Sequence, residues 1–399
     1  MLASLCLFVG ALVGAVVLTG ALGIDFARTS RATAIALCAI VAVLGISAVR
    51  EQRYRPKRQR RPEFSGERLL NKSIALGAGC TMILVVASLQ AVLGATVAST
   101  FLSDLVFVWV LLPILIPSYV LTTERLAGGE EDALSSAGAA LRGKRSWNTS
   151  EHKQLLLAWL VKAFFLPLMY GNLVLVLEQW LALTWPAHPT TWFVWFATGA
   201  LAVDLLVATS GYLATGPLFR REIRSVDDSW SGWIVCLICY APFYQYVKLV
   251  TEQRDELIWS DWLQPDQMLY WIWAAMLVLS WTVYWLSSIA FGLRFSNLTY
   301  RGLVDYGPYR YTKHPAYISK NIYWWLHTVP FVGVVSTSDV IANIAGLSAV
   351  GLIYYFRAKT EERHLMRFPE YVEYARRIEQ RSLRFKLRQW LSRRARAAT

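Results

Sequence analysis

Charged side chains are scarce in this chain: 17% of its 399 residues are Asp, Glu, Lys or Arg, where a soluble domain carries about 25%. With 55% hydrophobic residues, a disordered chain is excluded, because disorder needs few apolar and many charged groups. Cysteine is scarce as well. The five present are odd in number and lie in or beside apolar runs, which excludes a disulfide-stapled scaffold. Cys236 and Cys239 form a C-x-x-C, but no second cysteine pair or nearby histidine completes a metal set, so packing is the expected role and no metal is expected. Acidic residues are the scarcer charge, 27 against 40 Lys and Arg, which leaves a net charge of +13. Such an excess signals either nucleic-acid binding or the loop bias that orients a membrane protein, and its location decides between them.

What the sequence does have is long apolar runs. A bilayer core takes about 20 mostly apolar residues per helix. Ten runs qualify, at about residues 2–22, 32–49, 73–97, 101–122, 154–183, 191–215, 232–249, 268–291, 316–335 and 340–355. Ten spans place both termini on one side, and the loops and tail on that side hold 35 of the 40 Lys and Arg. The positive-inside rule makes that side cytoplasmic. The basic excess is then mostly a topology signal, and no nucleic acid is expected. The expected fold is all-α, a polytopic transmembrane helical bundle of about ten spans with both termini cytoplasmic. In a bacterium it would lie in the inner membrane. Trp259, Trp262, Tyr270 and Trp271 cluster near span ends, as an interfacial belt does.

The first run has no Lys or Arg before it and no clear cleavage site after it, so it is read as a retained helix rather than a signal peptide. The polybasic segment 50–72 is read as a solvated loop that fixes topology, with anionic lipid head groups as its other reading. The tail 381–399, with Phe385, Trp390 and Leu391 among arginines, suits an amphipathic helix on the inner leaflet. Asn71, Asn148 and Asn297 head N-x-S/T triplets, but all fall on loops assigned to the cytoplasmic side, so glycosylation is not expected. Asp104, Lys162 and Asp204 lie inside spans, where ionisable groups are costly and mark either interhelical pairs or substrate paths.

The chemistry-bearing stretch is 294–374. A polar loop containing Gly307-Pro308-Tyr309-Arg310-Tyr311 leads to Lys313-His314-Pro315-Ala316-Tyr317, and the last span runs into Arg357 and Thr360-Glu361-Glu362. Gly307-Pro308 is a turn signal, and Pro315 suits the first turn of a helix, which sets His314 at its N-terminus, where free backbone N–H groups can receive an anion. Arg357 and Glu361 are four apart and share one helix face. A guanidinium can hold a carboxylate, and Glu361 can accept from ribose hydroxyls or face a cation.

This joint pattern, completed by Phe368-Pro369-Glu370-Tyr371 and Tyr374, resembles the isoprenylcysteine carboxyl methyltransferase family over about residues 290–380. That family belongs with the phospholipid methyltransferases among integral membrane enzymes that use S-adenosylmethionine. The resemblance implies a cofactor pocket open to the cytosol and a lipid-accessible tunnel for a lipophilic or prenylated substrate. Carried over by position, the cofactor set is Arg301, Gly302, Leu303, Val304, Tyr309, His314, Pro315, Ala316, Tyr317 and Glu361, with Arg357 facing the substrate's carboxylate as the catalytic residue. Glu362, Arg294 and Lys313 are substrate or secondary positions; Lys313 stands where the family usually has Arg, and Arg294 where it has a neutral polar residue. The implied division is 1–230, a transmembrane bundle of unassigned role; 231–380, the methyltransferase core; and 381–399, the basic tail.

Carboxyl O-methylation is the favoured reading. Three alternatives stay open: amine N-methylation of a phospholipid, with Glu361 or Glu362 as base; a nicotinamide-dependent sterol or steroid reductase, whose loop is similar; and a transporter or scaffold, suggested by the charges inside spans. The partners expected are the lipid substrate and the membrane itself, with the oligomeric state left open.

Overall fold

The computed structural model describes residues 1–21, 28–54, 64–127, 131–185, 189–255, 257–334 and 336–381. Residues 55–63 of the polybasic segment and nearly all of the basic tail lie outside the described residues. The N-terminal runs fold into α1 (Leu2–Ala21), α2 (Arg28–Arg53), α3 (Gly66–Val92), α4 (Thr96–Asp104), α5 (Val106–Ala127), α6 (Ala133–Leu141), α7 (Thr149–Ala182) and α8 (Pro189–Leu213). The polar caps sit where the sequence allows: Ser65 accepts from the Arg68 N–H ahead of α3, and Asn148 from the Ser150 and Glu151 N–H groups ahead of α7.

Helix α7 is the axis of this half. In its most apolar window 72% of residues are buried, against 11% in α5, so α7 is enclosed by protein while α5 faces outward. Helices α2, α3, α4 and α8 pack around α7. Gly171 makes this possible, because a Cβ there would collide with the backbone carbonyl of Val97 on α4. The charges inside spans are largely paired. Asp104 accepts from Thr33 (2.7 Å) and Tyr170 (3.1 Å), Lys162 sits over the Trp159 ring, and Glu124 joins Arg68 and Lys72 at 2.7 and 2.8 Å.

The C-terminal half runs through β1 (Ser225–Val226), α9 (Trp230–Leu237), α10 (Tyr244–Thr251), α11 (Trp259–Trp262), α12 (Met268–Phe291), β2 (Thr299–Tyr300), α13 (Pro315–Thr328), α14 (Thr337–Leu365) and α15 (Pro369–Arg381). Among the described residues eight helices are long and apolar enough to cross a bilayer, where ten runs were read from the sequence. The run 232–249 is broken at Pro242 into α9 and α10, each 8 residues long. The run 316–335 forms α13, whose 14 residues rise only about 21 Å, short of the roughly 30 Å hydrocarbon core. The last run continues as helix through Arg357 and Glu361, as expected, and ends at Leu365, so α14 carries its polar C-terminal turns as continuous helix.

Two features set the site. Strands β1 and β2 pair antiparallel, Ser225 opposite Tyr300 and Val226 opposite Thr299, and tie the loop after α12 to the loop after α8. Helix α12 packs against α8 on one side and α13 on the other, so the C-terminal hairpin is fastened to the N-terminal bundle.

Candidate functional site

The loop between α12 and α13 is folded over the ends of α12, α13 and α14. Gly302 and Gly307 adopt φ +103° and +63°, the left-handed region open to glycine at low cost, and these two turns reverse the chain so that Tyr309 points inward. Tyr309 is 9% exposed and packs edge-on against Phe291. The Tyr374 hydroxyl of α15 donates to its carbonyl at 2.7 Å.

Under this loop lies a cleft with two lobes. The first, about 140 Å³, is lined by Tyr240, Asn297, His314, Tyr317, Arg357 and Glu361 among others. The second, about 70 Å³, is lined by Arg301, Gly302, Leu303, Val304, Glu361 and Tyr371 among others. Tyr309, Lys313 and Glu361 border both. Nearly all the positions carried over from the resemblance therefore gather around one cleft.

Their roles differ. The Arg301 guanidinium is buried, 6% exposed, and donates to the carbonyls of Gly211, Ala214, Arg221 and Phe295. Burial pulls its pKa down to about 10, which leaves it charged at neutral pH. Its side chain anchors the loop to the end of α8, and it is the loop around Gly302 to Val304 that forms the lobe. Arg294 likewise donates to the Leu303 carbonyl at 2.9 Å. Pro315 occupies the first turn of α13 and borders neither lobe. Ala316 lines the first lobe.

Arg357 and Glu361 share a face of α14, yet they do not form the ion pair that their spacing permits. The Arg357 Nη2 donates to Asn297 Oδ1 at 2.9 Å, and Glu361 Oε2 accepts from the Tyr317 hydroxyl at 3.0 Å. The guanidinium lies between the Tyr240 and Tyr317 rings, 5.6 and 5.4 Å from their centroids, where the negative ring faces offset part of its charge. Glu362 turns the other way, to His314 Nε2 and Lys313 Nζ, both at 2.9 Å. Lys313 also reaches Glu379 of α15 at 3.0 Å. Burial pulls the Lys313 ammonium down, but the bonds to Glu362 and Glu379 outweigh it and hold its pKa above the ordinary value.

Tyr371 supplies an unmet group. It is 5% exposed, lines the second lobe, and its hydroxyl has no hydrogen-bond partner among the described residues. A buried hydroxyl left unpaired is costly, and a ligand in this lobe would satisfy it. The second free oxygen is Glu361 Oε1, because only Oε2 takes the Tyr317 proton.

Tyr240, Asn297 and Lys320 are among the lining residues not anticipated as site residues. Tyr240 comes from the broken seventh run. Asn297 drew notice only as a sequon, but its amide bonds to the Tyr212 and Tyr240 hydroxyls and its carbonyl receives Arg357. Lys320 lies in the second turn of α13, three residues after Tyr317 and so on the same face.

Comparison with known proteins gives one match. Residues 268–367, from the start of α12 to just beyond α14, match the isoprenylcysteine carboxyl methyltransferase (ICMT) family. Neither the curated proteins nor the solved structures contain a match to the chain. The matched segment contains the cleft's His314, Tyr317, Arg357 and Glu361, and in it this membrane-spanning chain carries a domain of the ICMT family of methyltransferases.

Proposed function

We propose that the chain is an S-adenosylmethionine-dependent methyltransferase that methylates the carboxylate of a lipophilic acid. The uncoupling of Arg357 from Glu361 carries this reading. Two opposite charges four residues apart, in a cleft walled by apolar helices, gain most by pairing with each other. Here each is held away by its own tyrosine and amide contacts, which leaves an acid-facing cation and a cation- or hydroxyl-facing carboxylate about one helical turn, roughly 6 Å, apart.

The residues fit the cofactor's chemistry. Glu361 Oε1 and the unpartnered Tyr371 hydroxyl suit ribose hydroxyls or an ammonium, and the rings of Tyr309 and Phe291 suit a flat base. The cofactor supplies a methyl group on a sulfonium. The protein's share is to hold an acceptor oxygen in line with it and to exclude water. A carboxylate is already ionised at neutral pH and needs no base, only an orienting cation such as Arg357. Charge bias supports a cytosolic position for the cleft, since the loops around it are rich in Lys and Arg.

The test is transfer of a radiolabelled methyl group from S-adenosylmethionine to lipid acids by membranes containing the protein. Base-labile label, as a methyl ester gives, is expected from wild type, and Arg357→Ala should reduce it at least 100-fold. Base-stable label in an amine lipid would overturn the carboxylate assignment, and no transfer would overturn the methyltransferase reading.

A further inference from the structure

Besides Arg357 and Lys313, the first lobe contains a third cation, Lys320, that the family pattern does not assign. Lys320 lies one turn past Tyr317, deeper along α13 than His314 by about 9 Å of helix rise. Arg357 is likewise one turn deeper than Glu361 along α14. The lobe is therefore layered. Its polar-loop end carries His314, Tyr317 and Glu361, and its floor carries Arg357 and Lys320, both lining the same cavity.

Lys320 is held much as Arg357 is. Its Nζ sits over the Tyr284 ring at 4.3 Å from the centroid, with the Tyr354 ring at 5.9 Å. The Tyr284 hydroxyl donates to Asp204 Oδ2 of α8 at 2.7 Å, which fixes that ring. Asp204 is buried, 6% exposed, and its Oδ1 has no hydrogen-bond partner among the described residues. Asp204 enters this network through Tyr284. Among the described residues, neither Lys320 nor Arg357 makes an ion pair with a carboxylate. Aromatic faces lower the cost of a desolvated cation but leave its N–H donors free. Two such cations on one cavity floor repel each other, and in a low-dielectric cleft that repulsion is strong. Asp204 offsets part of the Lys320 charge, and the remaining positive charge on the floor suits an incoming anion.

We propose that Lys320 is a second binding residue for the acceptor's carboxylate, one that makes the cavity select lipids with a carboxylate head over neutral or amine heads. This rests on the reading of the cleft as a methyl-transfer site and adds the residue that sets its head-group specificity. Arg357 and Lys320 take the carboxylate from two directions, and Tyr284, braced by Asp204, positions the ammonium.

The experiment is equilibrium binding to purified full-length protein in nanodiscs, with no cofactor present. A radiolabelled farnesyl chain ending in a carboxylate is competed by the same chain ending in an alcohol, an amine or a phosphate. Wild type should prefer the carboxylate over the alcohol and the amine by at least 10-fold. Lys320→Met and Lys320→Gln should each lose about that factor, and Lys320→Arg should recover most of it. All three should keep the wild-type Kd for S-adenosylmethionine and a wild-type Tm.

Equal binding of carboxylate and alcohol by wild type overturns the proposal. So does a preference for the phosphate over the carboxylate, or loss of S-adenosylmethionine binding together with acid binding in the Lys320 variants, which would mark Lys320 as structural. Wild type that binds the acid but not S-adenosylmethionine would defeat the methyl-transfer reading instead, so the two failures are distinguishable.

Discussion

Apart from Lys162, which rests on a ring, and Asp204, whose Oδ1 has no partner among the described residues, the two halves of the chain treat most of their buried charge differently. In the N-terminal bundle, Asp104 is satisfied by Thr33 and Tyr170, and Glu124 by Arg68 and Lys72. In the C-terminal hairpin, Arg357 and Lys320 rest on tyrosine rings, Glu361 keeps one oxygen free, and the Tyr371 hydroxyl has no partner among the described residues. A charge answered within the protein contributes to the fold. A charge answered by nothing in the protein costs stability until a ligand arrives, and it is tolerated where binding repays the cost.

That contrast breaks most sharply at Arg357. Arg357→Ala should reduce methyl transfer at least 100-fold while leaving Tm within a few degrees of wild type, because charge-assisted bonds to a carboxylate contribute about 1.5–3 kcal/mol each and no partner carboxylate is stranded by the change. Thermal melts beside transfer assays check both halves. Asp104→Ala should do the reverse. It strips the acceptor from Thr33 and Tyr170, costing about 1–3 kcal/mol of stability, with transfer per folded molecule unchanged.

A smaller effect sharpens the account within the cleft. Tyr317→Phe removes the bond to Glu361 Oε2 and should weaken S-adenosylmethionine binding by about 3- to 10-fold, the worth of one such bond, as calorimetry reads it. The smallest effect concerns Lys313. Its raised pKa means that the stabilisation from Glu362 and Glu379 is fully present below the ordinary lysine value of 10.5 and is lost only as pH rises through the higher folded value. Lys313→Met should therefore lower Tm by the same small amount at about pH 6 and about pH 9, with divergence only above that window.

Much of this arrangement was legible from residue order. The turn at Gly307-Pro308, the helix start at Pro315 and the shared face of Arg357 and Glu361 are local features, set by backbone preferences and helical period. What packing decides was not legible. The seventh run is apolar enough to look like a span, and only its break at Pro242 brings Tyr240 to Arg357. Lys320 lies within the ninth run, and only the packing of α13 against α12 and α14 sets it in the cavity wall. Arg301 lines the second lobe, and its guanidinium donates to four backbone carbonyls of the scaffold, a contact that only packing sets.

The central claim is that the charges unanswered in the C-terminal cleft exist for ligands. Its most direct test is the Kd of S-adenosylmethionine for purified wild type and for Glu361→Gln, each measured beside its Tm. The account predicts saturable binding by wild type, at least 10-fold weaker binding by the variant, and equal melting temperatures. Equal affinity in the two proteins, or no saturable binding by wild type, would contradict it.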